Sequence, residues 1–334
     1  MDSIPITDKI PELDIAIKAA YDAGKAVLEI YEKDFDTFSK TDNSPITEAD
    51  LKSNEIIKNI LLNTKHSILS EEDKDDVSRV SENLIWIIDP LDGTSDFIDR
   101  TGEFTIMIAL VKNKKPILGV ILWPTEKTLF VAQKDQGAFR FSNNEWKKIS
   151  VTNIEKLSDC RIVGSRHHLS DAEKKFIKKL GINNFTSVGS SLKVGKISSG
   201  EAEAYITTTN KIKEWDTAAS HCIISEAGGK MTDMLGNELT YNNKNVYHQN
   251  GILVTNGLIH NKIVDEFKKL EEVSFVKKVL YFICTICKRF MFSVDNYICF
   301  FWSFIRIINS CKSFDFSFSS LGIHAFNVSF FTFC

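Results

Sequence analysis

The chain has 334 residues, enough for two domains of ordinary size or for one large domain. Hydrophobic residues make up 43% of it, charged residues 25%, and the net charge is −3, a composition typical of a soluble globular protein. This balance gives no electrostatic reason to expect a nucleic-acid polymer as partner. The segment Met1 to Lys18 has neither a basic stretch nor a long apolar stretch, so we expect no secretory signal and a cytoplasmic location.

Helical periodicity dominates the start of the chain. Apolar residues recur at helical spacing from Leu13 to Tyr31 and predict a first helix. Thr47 can cap a second helix that runs through Asn63 and carries Asp50 in its first turn. An acidic loop is then predicted from Ser70 to about Glu82.

The middle of the chain changes to strand-like patterns. Five strands, antiparallel after the first, are predicted at 84–88, 104–111, 117–123, 128–133 and 137–141. From about Cys160 onward, strands alternate with helices up to a last predicted helix at Ile259–Leu270. This order predicts a layered α/β (α+β) protein. We expect an N-terminal half at 1–150 with an antiparallel sheet and a C-terminal half at 151–272 with a mixed sheet.

Residues 273–334 differ in composition from the rest of the chain. Fourteen of the 24 phenylalanines and five of the seven cysteines lie there, with Gly322 as the single glycine. Its apolar runs, such as Tyr297–Ile305, are shorter than the roughly 20 residues of a membrane-spanning helix. Three interpretations are open: a segment weakly associated with the cytoplasmic face of the inner membrane, a partner-binding segment, or an out-of-frame extension never selected to fold. The lack of turn residues and of a clean period favours the third.

The most informative motif follows the predicted strand Leu84–Ile88. Asp89 and Asp92 lie at its exit, where Pro90 and Gly93 favour a tight turn. Two carboxylates three residues apart repel each other unless a cation lies between them, and an all-oxygen cluster suits a hard ion such as Mg²⁺. The backbone N–H groups that follow can cradle a phosphate. A solvated acidic turn that caps the next element is the alternative, and for this motif alone it is the better one.

Acidic residues elsewhere in the chain favour the metal site. Glu71 precedes the strand that ends at Asp89, and Asp216 stands at the start of a predicted helix. If Glu71, Asp89, Asp92 and Asp216 converge, they form an all-oxygen site for two or three Mg²⁺ ions, beside which Thr94 and Asp50 could polarise a water. Taken alone, Asp216 is better explained as a helix N-cap.

Seven sequence blocks, in order, resemble the Mg²⁺-dependent, lithium-sensitive phosphatases of the inositol monophosphatase superfamily, and within it the CysQ-type 3′(2′),5′-bisphosphate nucleotidases. They lie between about residues 10 and 270, and the last of them contains Glu-Trp-Asp-Thr-Ala-Ala. The blocks are Asp42–Asp50, Leu69–Asp73, Asp89–Thr94, Gly102–Thr105, Lys115–Val120, Gly189–Lys193 and Glu214–Ala219. The resemblance implies the αβαβα layering of the sugar phosphatases and no counterpart for the segment 273–334.

The resemblance also implies roles for individual residues. Metal ligation falls on Glu71, Asp89, the Leu91 carbonyl, Asp92 and Asp216. Catalysis falls on Asp50, Thr94 and Glu71, with the first two positioning the attacking water. Substrate contacts fall on Leu91, Asp92, Gly93, Thr94, His168, Ser190, Lys193 and Asp216. Without the resemblance, His168 would be read as a surface loop residue and Lys193 as a solvated charge on a helix.

The implied reaction converts adenosine 3′,5′-bisphosphate to AMP and phosphate, which clears a by-product of sulfate assimilation. One departure bears on this substrate: the family usually has an arginine where this chain has Thr207, two residues after Tyr205. Lys211 or Lys213 could supply the missing positive charge. Two rival functions stay open, an inositol or sugar monophosphatase and a protein- or membrane-binding scaffold with weak activity.

Overall fold

The computed structural model describes residues 4–40 and 44–273, and residues Met1–Lys269 form one compact unit. Helix α1 (Pro11–Tyr31) starts with proline in its first turn, where the missing N–H costs nothing, and buries a stripe of alanine, leucine and valine. A short antiparallel pair, β1 (Thr37–Ser39) and β2 (Pro45–Thr47), precedes helix α2 (Glu48–Leu61). As predicted, Thr47 caps α2, and its hydroxyl accepts a hydrogen bond from Ala49 N at 3.2 Å.

The first large sheet has seven strands in sequence order. Strands β3 and β4 are parallel, and every later neighbour is antiparallel, which confirms the predicted antiparallel cluster. Helix α3 (Thr94–Ile98) follows β4 directly. The strands are β3 (Ser67–Ser70), β4 (Leu84–Asp92), β5 (Thr105–Lys112), β6 (Lys115–Trp123), β7 (Thr128–Gln133), β8 (Gly137–Ser142) and β9 (Glu145–Ile149).

The second large sheet has five strands in the order β11, β10, β12, β14, β13, and is mixed as predicted. Strands β11, β10 and β12 are parallel, and β14 is antiparallel to both β12 and β13. The elements of this half are β10 (Arg161–Gly164), α4 (Asp171–Lys179), β11 (Asn184–Ser187), α5 (Leu192–Ser198), β12 (Ala204–Thr207), α6 (Ala218–Glu226), β13 (Lys230–Thr232), β14 (Ile252–Thr255) and α7 (260–273).

Alternation along the strands creates two cores and a five-layer α/β/α/β/α body. In β4, Trp86 and Ile88 pack into a core with α1 and α2, whereas Ile85 and Ile87 face a second core with α5, α6 and the five-stranded sheet. Outside that sheet, Phe176 of α4 contacts Phe267 of α7 with ring centroids 5.5 Å apart. The predicted layered fold is therefore confirmed.

Several local predictions need correction. Strands β3, β9 and β13 and the β1–β2 pair were not predicted, since three- to five-residue strands carry too few positions for a clear alternation. Helix α6 begins at Ala218, so Asp216 lies before this helix rather than at its start. Part of the block Asp42–Asp50 and almost all of the segment 273–334 lie outside the described residues. The domain boundaries therefore stay predictions. Across 4–40 and 44–273, no helix is both long enough and apolar enough to cross a membrane.

Candidate active site

The end of strand β4 delivers two carboxylates to one edge of the seven-stranded sheet. An irregularity in the β4–β5 pairing between Asp89 and Asp92 turns the chain, and Asp89 Oδ1 accepts a hydrogen bond from Leu91 N at 3.0 Å. The Pro90 carbonyl accepts a hydrogen bond from Ser53 Oγ at 2.6 Å, which fixes this turn against helix α2. Asp89 is only 1% exposed, so its charge depends on nearby groups rather than on water.

Three carboxylates from distant parts of the sequence meet at this edge. Ligand oxygens of Glu71, Asp89 and Asp216 all lie within 4.8 Å of one another. Glu71 arrives because β3 runs parallel to β4, and its backbone N–H donates to the Ile88 carbonyl at 3.3 Å. Asp216 arrives from the turn before α6. The predicted convergence of these three residues is thus present in the structure.

Asp216 does not cap a helix, which corrects the simpler interpretation of the sequence. Thr217 occupies the N-cap position of α6. Asp216 instead accepts a hydrogen bond on Oδ2 from Lys213 N at 2.7 Å, within a turn that precedes the helix. Its carboxylate is therefore directed by the turn toward the other two acidic groups.

Asp92 lies beside these three carboxylates and is held by the second half of the fold. Its Oδ2 accepts hydrogen bonds from Ser191 N at 2.5 Å and from the Thr105 hydroxyl at 3.3 Å. Burial raises the pKa of Asp92, and the positive charge of Lys193 opposes that rise. Asp92 therefore links the acidic cluster to the segment that carries Ser190 and Lys193.

The electrostatics of the cluster fit a bound cation. Burial, followed by the charges of Glu71, Asp92 and Asp216, raises the pKa of Asp89 well above its usual value. Burial and then Glu71 raise the pKa of Asp216 to about 8. Ionised carboxylates packed this closely repel each other unless a cation is shared among them, and a set of oxygen donors alone suits Mg²⁺. The residues present fit the metal that the resemblance implies.

Lys40 is a neighbour of the cluster that the sequence did not reveal. Its Nζ lies 2.9 Å from Glu71 Oε1 and 2.8 Å from Glu72 Oε1. Burial opposes the charge on Lys40, but the two glutamates outweigh burial and raise its pKa. Burial raises the pKa of Glu72 to about 7, although its hydrogen bond to Lys40 opposes the rise. No local pattern around Lys40 distinguishes it from an ordinary surface lysine.

Asp50 and Thr94 form the pair that sequence reasoning predicted. The Thr94 hydroxyl is 3.0 Å from Asp50 Oδ1 and 3.3 Å from the Leu91 carbonyl oxygen. The other carboxylate oxygen, Oδ2, accepts hydrogen bonds from Thr47 N at 2.7 Å and Thr47 Oγ1 at 2.6 Å. Burial raises the pKa of Asp50, and its hydrogen bonds from Thr47 and Thr94 limit the rise.

Gly93 permits the close approach of the two halves of the site. Its φ of 91° lies in the left-handed region, and a Cβ there would stand 3.1 Å from Ser190 Cβ and 3.2 Å from the Glu103 carbonyl oxygen. Glycine at this position therefore lets the turn after Asp92 pack directly against the Ser190 segment. Helix α3 starts at the next residue, Thr94.

A cleft of about 610 Å³ opens over the acidic cluster and contains every predicted site residue except Asp50 among its lining residues. The lining also includes His168, Ser190 and Lys193, three of the predicted substrate contacts. Lys193 is only 8% exposed, donates to the Ser190 carbonyl, and lies 5.3 Å from the Tyr205 ring centroid. Burial lowers the pKa of Lys193, and Asp92 opposes this.

Polar groups that contact the lining residues of the cleft include some that the sequence did not single out. Arg166 pairs with Glu103 at 2.5 Å and with Asp96 at 3.3 Å, and Glu103 also accepts a hydrogen bond from Gly189 N at 2.6 Å. Burial and then the neighbouring His167 lower the pKa of His168. Thr207, Lys211 and Lys213 also line the cleft. Glu103 and Gly189 belong to the family-like blocks Gly102–Thr105 and Gly189–Lys193, and those blocks were the sequence signal available for this network.

Comparisons with known proteins agree with this site. Residues 8–272 match the sequence profile of the Inositol monophosphatase family. The chain belongs to the inositol monophosphatase family. It is 35% identical over 252 residues to a 3′(2′),5′-bisphosphate nucleotidase CysQ of Escherichia coli (strain K12), covering 73% of this chain and 99% of that one. Another CysQ of this name, from Buchnera aphidicola, is 34% identical and covers 69% of this chain and 87% of its own.

Solved structures of inositol monophosphatase family members have the same fold. The crystal structure of CysQ from Bacteroides thetaiotaomicron aligns with a TM-score of 0.64 and 34% identity, covering 73% of this chain and 96% of that chain. An IMPase from Thermotoga maritima aligns with a TM-score of 0.67 and 27% identity, covering 79% and 99%. The family and fold expected from the sequence are therefore confirmed.

Proposed function

We propose that this protein is a Mg²⁺-dependent phosphatase that hydrolyses adenosine 3′,5′-bisphosphate to AMP and phosphate. The observation that carries this proposal is the convergence of Glu71, Asp89 and Asp216, with ligand oxygens within 4.8 Å of one another, at the base of an open cleft. Relatives named 3′(2′),5′-bisphosphate nucleotidase, which match almost their full length, support the nucleotide substrate.

The acidic cluster would hold two or three Mg²⁺ ions. The ligands are Glu71, Asp89, Asp92, Asp216 and the Leu91 carbonyl. When bound, such ions lower the pKa of a coordinated water and stabilise charge on the leaving oxygen. Asp89, Asp92 and Asp216 are fixed before any substrate arrives, because each accepts a backbone N–H hydrogen bond.

Asp50 and Thr94 orient the attacking water. The Thr94 hydroxyl proton is directed at Asp50 Oδ1, so the free lone pairs of the Thr94 oxygen can accept a hydrogen bond from a water. The water oxygen attacks phosphorus, a new P–O bond forms, and the bond from phosphorus to ribose O3′ breaks. The bonding pair stays on O3′. The attacking water gives up one proton, O3′ takes up one, and AMP leaves with a free 3′-hydroxyl group.

The turn after Asp92 and the cleft residues Ser190, Lys193 and His168 bind the substrate. Backbone N–H groups at Gly93 and Thr94 face the scissile phosphate in this assignment. Ser190, Lys193 and His168 contact the nucleotide, and Lys193 supplies a charge-assisted hydrogen bond to a phosphate oxygen. Because Lys193 is buried against Tyr205 and close enough to Asp92 to affect its titration, this cation is held in place rather than free in solvent.

A second candidate is hydrolysis of inositol or sugar monophosphates. Thr207 stands where the bisphosphate nucleotidases usually have an arginine, and the monophosphatase structure from Thermotoga maritima has the same fold. The Thr207 side chain is uncharged and almost fully buried, so it cannot replace an arginine at the second phosphate. The roles in sulfate assimilation, the lithium sensitivity and the cytoplasmic location stay predictions, as does the scaffold alternative.

The deciding experiment measures phosphate release from a panel of substrates. Adenosine 3′,5′-bisphosphate, inositol 1-phosphate and adenosine 2′-phosphate are compared by kcat/KM with Mg²⁺ and with EDTA. We expect the bisphosphate to be preferred and all activity to vanish in EDTA and return with Mg²⁺. Asp89→Asn, as the control, should reduce kcat at least about 10²-fold. Preference for inositol 1-phosphate would favour the second candidate, and metal-independent activity would exclude both.

A further inference from the structure

Two of the three converging carboxylates come from turns rather than from the interior of a strand or helix. Glu71 begins the loop that runs from the end of β3 to β4, and Asp216 lies in the turn before α6. Glu71 makes the last backbone hydrogen bond of the β3–β4 ladder, to the Ile88 carbonyl at 3.3 Å, and Asp216 lies outside any such ladder. The spacing between these two groups therefore depends on what holds the loop and the turn together.

The loop that starts at Glu71 contains an almost fully buried arginine. Arg79 is 2% exposed and lies in the 3₁₀ turn Val77–Ser81. Its guanidinium pairs with Asp75 through two hydrogen bonds, of 2.6 and 2.8 Å. It also donates to Asn242 Oδ1 at 2.8 Å and to the Asn243 carbonyl oxygen at 3.1 Å. These last two bonds cross more than 160 positions of sequence.

Asn242 makes hydrogen bonds through both polar atoms of its side chain and through its backbone N–H. Its Nδ2 donates to the carbonyl oxygens of Arg79 at 2.9 Å and Glu82 at 3.0 Å, both in the Glu71 loop. Its backbone N–H donates to Glu214 Oε2 at 2.7 Å. Asn242 has a φ of 59°, a left-handed conformation that asparagine tolerates better than most residues. One residue thus contacts both the Glu71 loop and the segment that carries Asp216.

Glu214 completes the connection. It is 1% exposed, and its Oε1 accepts hydrogen bonds from Asn243 N at 2.9 Å and from Asn243 Nδ2 at 2.8 Å. Its own carbonyl oxygen accepts the N–H of Ala218 at 2.9 Å, at the first residue of α6. Asp216 lies inside the short turn that these bonds enclose.

We infer that Arg79, Asn242, Asn243 and Glu214 form a brace that sets the separation of Glu71 and Asp216 and thereby the affinity of the site for divalent metal. These are positioning residues: they act through the ligands and touch neither substrate nor metal in the proposed mechanism. Hydrogen-bonded groups outside the ligands commonly contribute to affinity by fixing ligand positions. Here the bonds join the loop that carries Glu71 to the segment that carries Asp216. The inference rests on the metal site in the proposed function.

The chain supplies a matched control for this network. Asp233 is another buried carboxylate that accepts only N–H donors, from Leu235, Asn237 and Asn250. Asn250 donates to it through Nδ2 at 3.0 Å and has a φ of 64°, close to that of Asn242. Among the described residues that line the cleft, neither Asp233 nor Asn250 is found. Asn250 is exposed, and Asn250→Ala removes one side-chain hydrogen bond to a buried carboxylate at a position outside the cleft lining.

The test titrates Mn²⁺ into metal-free protein and counts free ion by electron paramagnetic resonance, so that no substrate is needed. Asn242→Ala and the milder Arg79→Lys should bind Mn²⁺ about 10-fold more weakly than wild type, and Asn250→Ala should bind like wild type. At saturating Mg²⁺, both brace variants should regain the wild-type kcat and substrate KM. Arg79→Lys keeps the positive charge beside Asp75 and provides the test if Asn242→Ala does not fold.

Three results would overturn the brace. Folded brace variants with wild-type Mn²⁺ affinity would make the network a purely structural contact, and an equal loss in Asn250→Ala would make the effect a general loss of stability. Wild-type protein that binds no Mn²⁺ would overturn the metal site itself and the brace with it. Absence of bisphosphate hydrolysis with normal Mn²⁺ binding would instead leave the brace intact and contradict only the proposed substrate.

Discussion

The Thr94 hydroxyl lies 3.0 Å from Asp50 Oδ1, although 44 positions separate the two residues. Asp50 stands in the first turn of α2, where its other oxygen accepts the Thr47 N–H in a capping box. The same carboxylate thus completes a helix cap and receives the hydroxyl next to the acidic cluster. A stable local structure therefore fixes the orientation of a proposed catalytic group.

Replacing Thr94 tests whether this pair acts in catalysis. Thr94→Val keeps the shape of the side chain and removes the hydroxyl, so kcat should fall by about 10²-fold because the attacking water loses its partner. Mn²⁺ affinity should stay near that of wild type, since Thr94 is not among the proposed metal ligands. Thr128→Val, which removes a buried hydroxyl from β7, is the control. A kcat close to wild type in Thr94→Val would contradict the assigned role.

Metal should stabilise the protein more at alkaline than at acidic pH. Burial and then Glu71 raise the pKa of Asp216 to about 8, and burial with neighbouring charges also raises that of Asp89. With folded pKa values above the unfolded ones, the metal-free protein loses stability as pH rises from about 4 to about 8. Mg²⁺ restores the lost stability, because the ion binds the ionised carboxylates and so stabilises the folded state by mass action.

Thermal unfolding in EDTA and in excess Mg²⁺, at pH 6 and pH 8.5, measures this effect. We expect a clearly larger rise in Tm with Mg²⁺ at pH 8.5. Asp89→Asn removes one of the repelling charges, so the variant should be more stable than wild type in EDTA and respond less to Mg²⁺. The same Mg²⁺-induced shift at both pH values would argue against carboxylates with raised pKa as the ligands.

The contribution of Lys193 to substrate choice can be read from KM. Lys193→Ala should raise KM for adenosine 3′,5′-bisphosphate roughly 10-fold or more, because a charge-assisted phosphate contact is lost. The KM for inositol 1-phosphate should change much less. Lys196→Ala on the same helix, where the lysine pairs with Glu201 at 3.1 Å, is the control. Equal increases for both substrates would favour the monophosphatase candidate.

A buried histidine should make stability fall at mildly acidic pH. His260 is enclosed between the hydroxyls of Thr232, at 2.8 Å, and Thr255, at 2.9 Å, and burial followed by Lys230 lowers its pKa to about 4. The unfolded chain therefore binds a proton between pH 6.5 and 4 that the folded protein does not, and stability is lost as pH falls through this range.

Urea unfolding at pH 7 and pH 5 gives the size of the effect. Between pH 7 and pH 5, His260 should lower the free energy of unfolding of the wild type by about 2 kcal/mol. This decrease should be absent in His260→Gln. The variant will be less stable than wild type at pH 7, so the informative quantity is the change between the two pH values. An unchanged slope in His260→Gln would refute the prediction.

Removal of the C-terminal segment tests the predicted boundary. Truncation after Glu272 should leave metal-dependent activity intact and improve solubility, because residues 273–334 carry fourteen phenylalanines with few turn residues and little polar surface. Activity, thermal unfolding and the soluble fraction after expression measure the outcome. If the full chain floats with lipid vesicles and the truncated chain does not, the segment docks to membranes. Loss of folding or activity would make the segment part of the enzyme.

The elements with strong local signals could be predicted from the order of the amino acids. The helical period from Leu13, the cap at Thr47 and the apolar strand into Asp89 are each properties of neighbouring residues, and the structure contains all three. The block around Asp89 and Asp92 also predicted the acidic turn, since proline, glycine and paired carboxylates limit both the backbone and the chemistry. Family membership followed from seven such blocks in order.

Tertiary structure alone decided which distant groups meet and how each is oriented. Short β3 carries no readable alternation, yet its parallel pairing with β4 is what brings Glu71 to Asp89. Asp216 is directed by a turn instead of capping α6, and Lys40 approaches Glu71 across the site. The contact of Arg79 with Asn242 has no sequence signature either. Such contacts depend on the packing of whole layers, which local periodicity does not encode, because it fixes the face a residue occupies but not the partner across from it.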